Sequence, residues 1–331
     1  MKMISNRWLF LVILALIIQI SANLSDYNLL FEDKQFLTEG ILQVLATDLD
    51  NDRREEFVLA GKNDVGREFF LYWLTVNSEN KPVVQWQSDN LFEEHSTIWI
   101  TTGKFTAPQN QLLAISDSQY YLYKVENSHV DLINRDKHNL QLLNAAGGDV
   151  DGDGQTEIVV AKIGQITSKI YNGLVQIWKF NENRLELIAE SNLIGNIRGM
   201  TVGDLDQDGL AEIFVDEGLK FAPGNMHILK YSGQKLTELF CLKKATKGPA
   251  YGMQIKDFSG KMRLVTATAT GFINFFGWDQ NVLVPVAKEI SLGRDLMSLA
   301  VIDANNDQNP KLLVAGYPQE FLILAQDNEK D

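Results

Sequence analysis

A single cysteine, Cys241, excludes an intrachain disulfide scaffold and any metal centre built from several thiolates. Only four of the 331 residues are histidine, and no two of them have ligand spacing. Basic residues are also scarce, with 30 against 43 acidic ones and a net charge of −13, so a nucleic-acid polyanion is a poor partner. No Gly-x-Ser-x-Gly elbow, His-Glu-x-x-His pair or phosphate-cradling glycine loop occurs, and with them goes the simplest evidence for catalysis. Beyond Ala22 no useful stretch carries an i, i+4, i+7 apolar stripe, which argues against a helical fold. What the chain does have is 45% apolar residues and 32 aromatic ones, enough for a large core made of many short strands.

The first 22 residues stand apart. Lys2 and Arg7 precede an apolar run from Trp8 to Ile20, followed by Ser21 and Ala22, the order of an export signal. Thirteen helical residues reach about 20 Å, short of the roughly 30 Å hydrocarbon layer. The expectation is a signal peptide over 1–22 with a single domain over 23–331, placing the domain in a secreted or periplasmic setting. The alternative is an uncleaved anchor over 8–22 that holds the domain at the outer side of the membrane, and only then is membrane contact expected. Removal of the segment leaves 28 basic against 43 acidic residues, a charge of −15.

A repeat organises the rest. Three segments share one frame, Val44–Leu59, Ala146–Val160 and Thr201–Val215. A fourth, Ala300–Val314, keeps the spacing with Asn305 and Lys311 in place of acids, and Trp99–Ile115 and Met253–Val265 keep only a strand–turn–strand outline. Aligned on the first turn position, they fall at residues 48, 104, 149, 204, 257 and 303, a mean spacing of 51. Each continues into an aromatic and β-branched run such as Glu68–Thr75 or Gly173–Phe180, then a more polar one such as Arg184–Ile188. Four strands per repeat make one propeller blade, and blades bury their faces only by stacking on neighbours. The predicted fold is all-β, a six-bladed propeller of four-stranded antiparallel blades. Its ring closes when the early strand Tyr27–Phe31 completes the last blade. A seven-bladed ring is the alternative, requiring a further copy near residues 60–95.

Asp149, Asp151, Asp153 and Glu157 stand at positions 1, 3, 5 and 9 of a loop with Gly154 at position 6, the opening of a calcium loop. Asp204, Asp206, Asp208 and Glu212, with Gly209, repeat it. So many carboxylates at one turn repel one another without a cation. Asp48, Asp50, Asp52 and Glu56 keep the four acids but put Arg53 at the glycine position, where a positive φ costs about 1 kcal/mol or more. At Asp303, Asn305 and Asp307 the glycine is Gln308 and position 9 is Lys311, whose ammonium could stand in for an ion.

These frames resemble the FG-GAP or VCBS repeat family, the calcium-loop repeats of integrin-type propellers and many exported proteins, over residues 27–325. The resemblance implies that the loop joins the first and second strands of a blade and that its Ca²⁺ is structural. Arg53, Gln308 and Lys311 depart from that pattern. An all-oxygen cage of this kind stabilises and does not activate water.

A ligand is expected at the opposite mouth of the ring, where the loops entering each innermost strand gather. Arg198, Lys247, Tyr251, Arg294 and His95 supply cations and an aromatic ring there. The leading expectation is a noncatalytic scaffold that binds a protein or glycan. Two alternatives compete with it: a polysaccharide lyase or hydrolase using His95, Tyr251 and Arg198, and a membrane-anchored envelope assembly factor. Cys241, at a probable strand end, reads as a buried spectator thiol.

Overall fold

The computed structural model describes residues 27–326 apart from 35, 38–39, 64–67, 92–96, 127–128, 167–170, 183, 220, 305–308 and 318. The expected export segment lies outside these residues, as do His95, Asn305, Asp307 and Gln308.

Six antiparallel sheets follow one another along the chain. Blade one runs Gly40–Thr47, Glu56–Asn63, Glu68–Val76 and Pro82–Gln87. Blade two runs Trp99–Gly103, Gln111–Ile115, Gln119–Glu126 and His129–Lys137. Blade three runs Leu142–Gly148, Glu157–Ile166, Tyr171–Asn181 and Arg184–Glu190. Blade four runs Ile197–Gly203, Glu212–Glu217, Gly224–Ser232 and Lys235–Thr246. Blade five has Ala250–Phe258, Lys261–Thr268, Phe272–Asp279 and Val282–Pro285, with Ile290–Ser291 pairing back on its third strand. Blade six has Leu296–Ile302, Lys311–Gly316 and Glu320–Gln326, and takes its fourth strand, Tyr27–Asp33, from the start of the chain. That seam runs from Tyr27 opposite Gln326 to Asp33 opposite Phe321. The ring therefore has six blades. Residues 68–87, where a seventh would have needed room, are the third and fourth strands of blade one.

The apolar runs form strands because both faces of each second strand are covered. Phe57, Val58, Leu59 and Ala60 are completely buried in blade one, as are Ile158, Val159, Val160 and Ala161 in blade three, so these strands read as continuous hydrophobic stretches. The outer strands face water and read as polar, as in His129–Lys137.

Six hydrophobic clusters divide the core, each drawn from two adjacent blades. The cluster at the seam stacks Phe321 on Phe36 and Phe57, with ring centroids 4.7 and 5.6 Å apart.

Around the axis the inner strands approach closely. A Cβ at Gly199 would overlap the Ala250 carbonyl, and one at Gly252 would overlap the Leu299 backbone, so these positions admit no side chain. Polar ties bridge the same gap: Ile100 N–H donates to Gln43 Oε1 and Val301 N–H to Gln254 Oε1, both at 2.6 Å, and Val44 N–H donates to Ser298 Oγ at 2.9 Å.

Candidate metal loops and central cavity

The three aspartate-rich turns join the first and second strands of blades one, three and four, and share one hydrogen-bond pattern. The first aspartate accepts from the backbone N–H at position 6, Arg53 to Asp48 at 3.1 Å, Gly154 to Asp149 at 2.9 Å and Gly209 to Asp204 at 2.9 Å. The closing glutamate reaches back to accept from the residue after that aspartate, Leu49 to Glu56 at 3.1 Å, Val150 to Glu157 at 3.0 Å and Leu205 to Glu212 at 3.2 Å. Arg53 adopts φ 72°, beside 86° and 91° at Gly154 and Gly209, so the turn keeps its shape at the price of a strained residue.

Carboxylate oxygens of Asp48, Asp50 and Glu56 lie within 4.8 Å of one another, as do those of Asp149, Asp151 and Glu157, and those of Asp204, Asp206 and Glu212. Asp52, Asp153 and Asp208 stand outside these trios, each accepting from the backbone N–H two residues on, at 2.7, 2.9 and 3.0 Å. All donors are oxygens, the set that suits a hard divalent cation such as calcium.

Charge separates the three. In blade three the Lys179 ammonium sits 2.8 Å from Asp151, 2.7 Å from Asp153 and 2.8 Å from the fully buried Glu157. In blade four Lys230 does the same to Asp208 at 2.6 Å and Glu212 at 2.8 Å, with Asp206 at 4.0 Å. Burial alone would depress both ammonium groups, but the carboxylates hydrogen-bonded to them hold them above the ordinary lysine range. In return the lysines hold Asp153 and Asp208 below the usual carboxylate range, while burial keeps Glu157 and Glu212 above it.

Blade one has no such lysine. Its third strand places Thr75 after Leu74, the partner of Phe57, where Lys179 follows Trp178, the partner of Ile158. Among the described residues no basic side chain pairs with Asp48, Asp50, Asp52 or Glu56. Asp48 Oδ1 is buried without a partner. Burial, reinforced by repulsion from Asp50, Asp52 and Asp48, pushes the Glu56 carboxyl up to about 8. The residues of blade one therefore fit a divalent cation on charge as well as on donor type. In blades three and four the donors fit, but an ammonium already neutralises them, so lysine and ion are alternatives there.

The innermost strands enclose a cavity of about 480 Å³ lined by Gln43, Thr101, Asn144, Arg198, Tyr251 and Met253, among others. Of the five residues expected at the mouth, the structure brings together Arg198 and Tyr251. The Arg198 guanidinium lies 5.6 Å from the centre of the Tyr171 ring. Lys247 and Arg294 are not in the lining. Lys247 pairs with Glu289 and lies 4.8 Å from the Phe272 ring, and Arg294 bonds Glu32 at 2.8 Å and Glu320 at 3.0 Å across the seam. The expected cationic mouth is thus reduced to one lining arginine, because two of its charges already have acidic partners. His95 lies outside the described residues.

Two features escape a reading by spacing. The lysines that neutralise the loops come from the third strand, where a charged residue in an aromatic run is the one visible signal. On the outer part of blade four, His227 lies opposite Cys241 in the strand register, with Glu238 and Glu217 beside them.

Comparison with known proteins follows this geometry. The family model described as an FG-GAP-like repeat matches residues 149–215, which hold the loops of blades three and four. No curated protein matches the sequence. Among solved structures, the chain is similar in fold to BBS1N, solved in complex with ARL6DN and soaked with mercury. The TM-score is 0.53 at 12% identity, covering 94% of this chain and 99% of that one.

Proposed function

We propose that this chain is an exported, noncatalytic propeller that serves as a rigid binding scaffold for a protein partner, its turns clamped by calcium in blade one and by lysine in blades three and four. The observation that carries the reading is how the charges are used: Lys179 and Lys230 neutralise the acidic loops of blades three and four, and Lys247 and Arg294 are paired with Glu289, Glu32 and Glu320. Support for a protein ligand comes from a propeller of like fold solved in a complex with another protein. The order of residues 1–22 supports export.

Asp48, Asp50 and Glu56 would hold the ion in blade one. Calcium supplies positive charge there and nothing more. The chain's own part is to hold Asp48 and Glu56 through the Arg53 and Leu49 amides, so that the carboxylates stay gathered when the ion binds. Arg198 and Tyr251, at the central cavity, are the residues on which the proposed ligand rests.

The test is cross-linking of the tagged, calcium-loaded chain to envelope proteins, alongside a glycan array, for the parent and for an Arg198→Ala, Tyr251→Ala double variant. A protein partner captured by the parent and lost by the double variant supports the reading. A glycan as the sole ligand, or a captured partner that the double variant retains, overturns it.

A further inference from the structure

Four side chains with metal-binding chemistry share one face of blade four, outside the acidic turns and the central cavity. Cross-strand partners project to the same face of a sheet, so His227 on the third strand meets Cys241 on the fourth, and Asn225, two residues before His227, meets Glu217 on the second. Glu238 joins them through an irregularity. The register passes from Ile228 opposite Phe240 to Leu229 opposite Glu238, skipping Leu239, and this shift turns Glu238 onto the histidine's face.

The His227 side chain is 10% exposed, and both its nitrogens are engaged. Nδ1 lies 3.2 Å from Glu238 Oε1, and Nε2 lies 3.0 Å from Glu217 Oε2 and 3.7 Å from Cys241 Sγ. Asn225 Nδ2 donates to the same Glu217 oxygen at 3.1 Å and orients it. His227, Glu238 and Cys241 each offer a ligand atom within 4.8 Å of the others, while Glu217 is joined to the group through His227 Nε2.

Tetrahedral zinc, with Zn–N and Zn–O about 2.0–2.1 Å and Zn–S about 2.3 Å, places N and S about 3.5 Å apart and N and O about 3.3 Å apart. The observed 3.7 and 3.0 Å are within a few tenths of an ångström of the two edges at His227 Nε2, and the Glu217 carboxylate would turn toward the sulfur to close the third. Glu238 occupies the place where a histidine ligand commonly finds a carboxylate: by accepting Nδ1–H it leaves the Nε2 lone pair free for a metal.

We propose that His227 Nε2, Cys241 Sγ and the Glu217 carboxylate form a site for a divalent transition ion of the zinc class, with Glu238 orienting the histidine. On binding, the thiol proton of Cys241 and one proton of any imidazolium pass to solvent, and the ion takes the lone pairs they leave. The imidazole–thiolate–carboxylate set selects against calcium, whose ligands are oxygens.

Cobalt(II) is the probe, titrated into the full chain in excess calcium so that the acidic turns are already supplied. The expected result is one tetrahedral cobalt per chain with a thiolate charge-transfer band, displaced by zinc. Cys241→Ser should abolish the band, and Glu238→Gln should weaken zinc affinity by roughly 10–100-fold. Circular dichroism shows that each variant is folded. Should Cys241→Ser fail to fold, alkylation of the parent decides: zinc must slow modification of Cys241 at least tenfold. Octahedral cobalt alone, unchanged zinc affinity in folded Cys241→Ser, or equal alkylation with and without zinc would overturn the site. Any of these would leave His227 as a hydrogen-bonded link between Glu238 and Glu217.

Discussion

Replacing Lys179 with methionine keeps an unbranched side chain of similar length and removes the charge that three carboxylates of blade three surround. Glu157 is fully buried, whereas the side chains of Asp151 and Asp153 are 25% and 46% exposed. A fully buried pair stripped of one partner loses about 3–5 kcal/mol, and the exposure of two of the three acids brings the expected loss down to about 2–4 kcal/mol. For a domain of this size each kcal/mol moves the melting temperature by about 2 °C, so Lys179→Met in chelator should melt about 4–8 °C below the parent. Calcium should then reverse the defect, because the ion and the ammonium neutralise the same oxygens. Saturation at about a hundred times its Kd returns about 2.7 kcal/mol. Differential scanning calorimetry of both proteins, with calcium and with chelator, measures all four quantities. A variant that melts with the parent in chelator, or one whose loss calcium does not reduce, would refute the idea that lysine and ion are interchangeable at this turn.

Asp50→Asn should behave in the opposite sense, since blade one has no lysine: in chelator it relieves repulsion and stabilises by roughly 0.5–1 kcal/mol, yet its calcium-induced rise in melting temperature should shrink. Asp216 gives a pH test. Its carboxyl is completely buried, and burial pushes it up to about 8 against the hydrogen bond from the Ala250 amide. A raised folded value means that its contribution is fully present below the unfolded value of about 3.9 and is lost as pH climbs through 8. Glu56 adds the same trend without calcium, so melting temperature in chelator should fall from pH 6 to 9, and Asp216→Asn should make that fall shallower. At the seam, Phe321→Ala removes the ring stacked between Phe36 and Phe57 and should cost about 3–5 kcal/mol by urea unfolding; a loss below 1 kcal/mol would mean the sixth blade is not cooperative with the first.

Much of the fold is legible in the chain because a blade is a local object. Its turn, its buried second strand and its aromatic third strand lie within about fifty consecutive residues, and the homeless strand at Tyr27 could belong only to a repeat that lacked one. The loop acids were legible for the same reason, their hydrogen bonds spanning two to seven residues. What was hidden depends on pairing between distant positions. Arg294 looks like a free cation until the seam brings Glu32 to it across 262 residues. Whether a third-strand lysine reaches a turn depends on strand register, which Thr75 and Lys179 share although nothing in their neighbourhoods says so. The spacing of His227 and Cys241 resembles no ligand motif, because a hairpin, not a helix turn, makes them neighbours. Arg53 shows a different limit: a residue poorly suited to a left-handed turn adopts it when the surrounding hydrogen bonds require it.

The seam also fixes an order of events. Asp33 and its mate Phe321 are separated by 288 positions, so the early strand must wait, edge exposed, while every other blade is made. A nascent chain therefore passes through a five-walled horseshoe that cannot latch until residues 321–326 arrive. During that interval it is most open to misassociation with another copy through its unmatched edges.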